Sequence, residues 1–97
     1  MATPESKVKD RIKAVLKRNN IWYFMPIGGP FSAHGVPDFV CCWRGCFLGI
    51  EAKAPGKRKH TTENQKRTLS EIETHGGMTV VVDDVSQLIE FLEKNDA

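Results

Sequence analysis

Apolar residues recur near the N-terminus at Val8, Ile12, Val15 and Leu16, the i, i+4, i+7, i+8 spacing of one helical face. This predicts a helix from about Glu5 to Arg18, with Thr3 or Ser6 as its cap. Glu5 lies three residues before Val8 and so shares the inward stripe, where an acid needs a partner. Ile21 to Met25 is short, aromatic and apolar, and Pro26 with Gly28-Gly29-Pro30 ends it, which reads as a strand. The polar, glycine-rich loop from Gly28 to Gly35 is expected to move and to close over a ligand.

Strands are predicted at about Pro37 to Trp43 and Cys46 to Ala54, joined by Arg44-Gly45, where glycine supplies the positive φ of a tight turn. Pro55-Gly56 terminates the second, and a lysine-rich surface loop follows. Thr62-Glu63-Asn64-Gln65 has the spacing of a capping box. Leu69 and Ile72 then mark the apolar face of a helix that stops at Gly76-Gly77. His75 in its last turn suits the helix dipole. Gln65, four and seven residues before Leu69 and Ile72, points inward, either as a satisfied core amide or as part of a site. Met78 to Val82 is a β-branched strand, and Asp84 with Gln87 caps a last helix carrying Val85, Leu88, Ile89 and Leu92. The order is helix, three strands, helix, strand, helix. It describes an α/β fold in one domain over residues 1–97, with a mixed sheet flanked by helices on both faces.

The hairpin carries the chemistry. A two-residue turn at Arg44-Gly45 sets Trp43 opposite Cys46, and the same register places Asp38 opposite Glu51; a bulge at Gly45 would break it. Opposed residues share a sheet face with Cβ atoms about 4.5 to 5.5 Å apart, and Lys53 joins them two residues beyond Glu51. The opposite face, Phe39, Cys41, Trp43, Cys46, Leu48, Ile50, Ala52 and Ala54, is apolar and belongs against helices. Two facing carboxylates repel, and burial worsens the repulsion unless a cation intervenes. Hard oxygen ligands favour Mg²⁺ or Mn²⁺. An isolated E-x-K is by itself a neutralised pair on a wet sheet face; Asp38, Glu5 and Gln65 shift the reading towards a site.

Composition and charge narrow the class. Hydrophobic residues make up 40% and charged residues 27% of 97 positions, with nothing near the ~20 apolar residues of a membrane span. The opening MATPESKVKD lacks the apolar core of a secretory signal. Cys41, Cys42 and Cys46 cannot close a disulfide framework, so an intracellular, cytoplasmic setting is expected. The net charge of +2 is small, but its distribution is uneven. Lys7, Lys9, Arg11, Lys13, Lys17 and Arg18 crowd the first helix, and Lys57-Arg58-Lys59-His60, Lys66 and Arg67 follow the E-x-K segment. Such runs suit a polyanion as readily as they suit solvated helix faces.

The residues Gly35-Val36-Pro37-Asp38, Ile50-Glu51-Ala52-Lys53-Ala54-Pro55, Gln65 and Gly77-Met78-Thr79-Val80-Val81-Val82 resemble the PD-(D/E)XK nuclease superfamily, most closely its VRR-NUC branch. The resemblance spans nearly the whole chain. It implies a restriction-endonuclease-like αβββαβ core with an added C-terminal helix, and metal-dependent hydrolysis of DNA phosphodiesters. Asp38, Glu51 and the Ala52 carbonyl would hold Mg²⁺, with Mn²⁺ as a substitute and Glu5 in reach directly or through water. Lys53 would orient or help deprotonate the attacking water and stabilise developing charge, and Gln65 would position Lys53 or a phosphate oxygen. Lys9, Lys13, Lys57, Arg58, Lys59 and Lys66 would contact phosphates, so recognition follows DNA shape and weakens steeply with salt. Short stand-alone members of this branch resemble Holliday-junction resolvases and act as homodimers, in a bacterial or virus-infected cell, and a chain of this length fits that type.

Rival readings are a DNA-binding module of the same fold without chemistry, a restriction-like or nicking nuclease, and a metal or redox centre at the three cysteines. The last requires Cys41 and Cys42 to converge although they face opposite sides of the strand, and it lacks a fourth ligand at ordinary zinc spacing. His34 and His60 read as loop histidines, and Trp22 and Trp43 as core.

Overall fold

The computed structural model describes residues 2–27 and 35–96. The loop expected to close over a ligand, His34 included, lies outside the described residues except for Gly35. Helix α1 spans Pro4–Arg18 and opens at Thr3, whose hydroxyl accepts the Ser6 N–H, so the cap is Thr3. Its buried stripe is Val8, Ile12, Val15 and Leu16. Strand β1 is shorter than expected, Trp22–Phe24. Strand β2 runs Phe39–Trp43 and β3 runs Cys46–Ala52. A 3-10 turn at Arg58–His60 follows, then α2 (Glu63–Thr74), β4 (Met78–Val82) and α3 (Val85–Lys94). Both anticipated capping boxes form, Thr62 with Gln65 and Asp84 with Gln87.

The four strands make one mixed sheet in the order β1-β2-β3-β4, antiparallel except for the parallel β3–β4 pair. Arg44 and Gly45 both take positive φ, 54° and 78°, the pair of values a two-residue hairpin turn of matching twist requires. Trp43 therefore pairs with Cys46 and Phe39 with Ile50, without a bulge. One sheet face buries Phe39, Cys41, Leu48, Ile50 and Ala52 against Ile12 and Leu16 of α1 and Leu88 of α3. On the other face α2 approaches the β3–β4 half, where Ile72 lies beside Gly49 and Gly77.

Three expectations need correction. Strand β2 starts at Phe39 rather than Pro37, because Pro37 has no N–H to give and Asp38 spends its side chain on the neighbouring strand. Strand β3 stops at Ala52, although Lys53 N–H still bonds the Val82 carbonyl at 2.9 Å. Trp22 is not core. Alternation along β1 turns Ile21 and Tyr23 inward and leaves Trp22 64% and Phe24 47% exposed, on the face opposite α1 and α3. Trp43 is buried as expected.

Gly35 fixes how the segment leading to Asp38 meets α2. Its φ is +83°, and a Cβ there would lie 2.4 Å from the carbonyl oxygen of Asn64 in the first turn of α2. Gly35→Ala is expected to lower folding stability by about 2 kcal/mol or more, since left-handed strain and a backbone clash add. Urea denaturation measures this, and an unchanged midpoint would refute it.

Candidate metal and phosphoryl-transfer site

The register brings Asp38 and Glu51 to the same end of the β2–β3 hairpin, and the bonds beyond the ladder hold them there. Asp38 Oδ2 accepts the Ala52 N–H at 2.9 Å, which closes the hairpin where backbone pairing ends. A strand residue projects its N–H and C=O to the same side, so the Ala52 carbonyl also turns towards Asp38.

Gln65 ties the second half of the site together from the first turn of α2. Its Oε1 accepts both the Thr62 N–H at 2.9 Å and the Lys53 ammonium at 2.8 Å. Its Nε2 donates to Glu51 Oε1 at 3.1 Å. Both lone pairs of the amide oxygen are thereby used, and the two donors aimed at it fix which way the amide points. One side chain caps the helix and sets the positions of Lys53 and Glu51. The inward orientation of Gln65 was legible from its spacing to Leu69; its triple engagement was not.

Glu51 is the buried charged residue of the described core, only 2% exposed. Its Oε2 is buried with no hydrogen-bond donor facing it. Burial first, and then the adjoining Asp38 as hydrogen-bond acceptor and by repulsion, together push its carboxyl up to about 9. Lys53 opposes the shift and Glu5 adds slightly to it. At neutral pH the carboxyl therefore keeps its proton. An ionised Glu51 has an unsatisfied oxygen, whereas a protonated one can donate to Asp38, so the arrangement is relieved either by a proton or by a cation.

The donor set fits a hard divalent ion. It offers two carboxylates, one of them with an orphaned buried oxygen, and a strand carbonyl, and one or two carboxylates with waters and a substrate phosphate is the usual environment of Mg²⁺. Among the described residues no three His, Cys, Asp or Glu side chains gather as a complete cage. Glu5 stands at one remove. Its side chain is 44% exposed rather than inward, and its Oε2 pairs with Lys9 Nζ at 3.4 Å; the same ammonium lies 3.7 Å from Asp38 Oδ1. The i, i+4 spacing of Glu5 and Lys9 signalled their pairing, but nothing in the sequence pointed Lys9 at Asp38.

Of the other residues expected to meet phosphate, Lys13 pairs with Asp10 at 3.8 Å and Lys66 with Glu63 at 3.6 Å, both surface pairs of little energetic weight. Lys57, Arg58 and Lys59 are exposed at the 3-10 turn. Arg58 and Lys59 line a recess with Gly56 and Asp83, and Gly56 N–H donates to Asp83 Oδ2 at 3.1 Å, which anchors this basic segment to the end of β4. The cysteine-centre alternative loses its ligands: Cys41 is buried with its thiol pushed up to about 12, and Cys42 is exposed on the other side of the strand.

Neither a protein-family model nor a curated protein matches the chain. No helix among the described residues is long and apolar enough to cross a membrane.

Proposed function

We propose that this protein is a divalent-metal-dependent DNA endonuclease with a restriction-endonuclease-like core, hydrolysing phosphodiesters in branched DNA such as four-way junctions. The observation that carries the reading is the joint geometry of Glu51 and Lys53. A buried carboxyl group with an orphaned oxygen lies in one hydrogen-bonded patch with Asp38, Gln65 and a lysine aimed by that glutamine. Asp38, Glu51 and the Ala52 carbonyl would hold the ion. When bound, Mg²⁺ supplies Lewis-acid polarisation of a phosphoryl oxygen and acidifies water.

The chain's own residues do the rest. Lys53 presents its ammonium to the non-bridging oxygens of the scissile phosphate or to the attacking water, stabilising the charge that builds as the water oxygen bonds to phosphorus and the P–O bond to the leaving sugar oxygen breaks, and Gln65 keeps its head group in place for either role. Lys57, Arg58 and Lys59 take flanking phosphates, which orient the duplex without reading bases. Paired incisions across a junction require two sites at fixed separation, so the active species is proposed to be a homodimer, working in the intracellular compartment where DNA and reduced thiols coexist.

Incubation with four-way, flap, single-stranded and linear duplex DNA, in Mg²⁺, in Mn²⁺ and in chelator, tests the reading. Metal-dependent incision strongest on the four-way junction is expected. Binding of the junction without cleavage in either metal overturns the nuclease and leaves a DNA-binding module. Cleavage strongest on linear duplex replaces the junction substrate with a restriction-like or nicking activity.

A further inference from the structure

Lys9 belongs to the basic stripe of α1, yet its ammonium is aimed at two carboxylates and its side chain is only partly exposed. Its Nζ sits 3.4 Å from Glu5 Oε2 and 3.7 Å from Asp38 Oδ1, and its side chain is 27% exposed, against 39% for Lys13 one turn on and 59% for Lys66. The Asp38 oxygen it faces is the one left over, because Oδ2 is committed to the Ala52 N–H. Oδ1 is thus the Asp38 oxygen with more free acceptor capacity for a cation, and the ammonium already stands at it.

We infer that Lys9 is the resident counter-ion of this site: its ammonium balances Asp38 while no divalent ion is bound and is displaced onto Glu5 when one binds. The inference rests on the reading of Asp38 and Glu51 as metal ligands. Two like charges cannot share one carboxylate oxygen closely, so metal and ammonium compete. Lysine suits the exchange, since its flexible four-carbon stem carries a point charge that moves without demanding a planar, bidentate partner. Glu5 then acts through Lys9, as the carboxylate that receives the ammonium. Lys9 is accordingly a positioning residue that sets metal affinity.

Mn²⁺ binding to the DNA-free full chain, followed by loss of the free-ion EPR signal, tests this without reference to cleavage. Lys9→Met is expected to bind Mn²⁺ about tenfold more tightly than the wild type, and Lys9→Arg to bind like the wild type. Lys9→Gln, which keeps a hydrogen-bond donor for the two acids, is expected to tighten binding as well and guards against a folding defect in the methionine variant. Glu5→Gln is expected to weaken binding in the wild-type background and to have no effect once Lys9 is Met; continued weakening there makes Glu5 a direct ligand and removes it from this scheme. Unchanged or weaker Mn²⁺ binding by both neutral Lys9 variants overturns the inference. If the wild type binds and Asp38→Asn does not, that failure is confined to Lys9; if none of the variants nor the wild type binds, the metal-site reading fails with it.

Discussion

Replacing Lys53 with alanine is expected to lower single-turnover cleavage in saturating Mg²⁺ by about 10²- to 10³-fold, the effect of removing one aimed donor from a site that stabilises developing charge. The ammonium is held 2.8 Å from Gln65 Oε1, within the same network that bonds Glu51, so its position is set before substrate arrives. Binding of the four-way junction in Ca²⁺ should change by less than about tenfold, because the flanking phosphate contacts are proposed to come from Lys57, Arg58 and Lys59. That split separates a catalytic role from a merely electrostatic one. Loss of Lys53 also removes the positive charge that opposes the rise in Glu51, so the variant should need more alkaline solution to bind metal. Cleavage by Lys53→Ala at the native rate would remove this residue from the mechanism.

The parts of this site that were readable in the sequence are those fixed by local rules. Alternation along Phe39–Trp43 and Cys46–Ala52, with Arg44-Gly45 between them, determines the hairpin register through the period-two geometry of strands and the φ demands of a two-residue turn. The Thr62–Gln65 and Asp84–Gln87 caps follow from spacing alone. What was not readable depends on how separate elements lie against one another. Trp22 looked like core because it is large and apolar, but a three-residue strand at the sheet edge offers it no helix to pack under. The contact of Lys9 with Asp38 depends on the angle of α1 across the sheet, which no local pattern encodes. Gln65 joins both kinds: its place in the capping box was local, and its bonds to Lys53 and Glu51 are tertiary.

Glu51→Gln should make the protein more stable at neutral pH while abolishing metal-dependent cleavage. Below pH 4.5, its ordinary value, the carboxyl is protonated whether the chain is folded or not. Between there and about 9 the unfolded chain has released a proton that the folded chain retains, so rising pH favours unfolding. The slope approaches about 1.4 kcal/mol per pH unit for this one group, and at pH 7 the accumulated penalty is on the order of 3 to 4 kcal/mol. Glutamine has nearly the same shape, can accept the Gln65 Nε2–H as Glu51 does, and presents an N–H where the protonated acid presents O–H towards Asp38. It escapes the penalty because it never ionises. Urea midpoints at pH 5, 7 and 8.5 should therefore diverge, nearly equal at pH 5 and increasingly in favour of the variant above it; parallel curves would show that Glu51 ionises normally in the folded protein. Mg²⁺ should narrow the gap only for the wild type and most at pH 8.5, where expelling the proton to make a ligand is least costly. A buried Glu51 that resists ionisation thus weakens the fold as pH rises, a cost that binding of the proposed cation would offset.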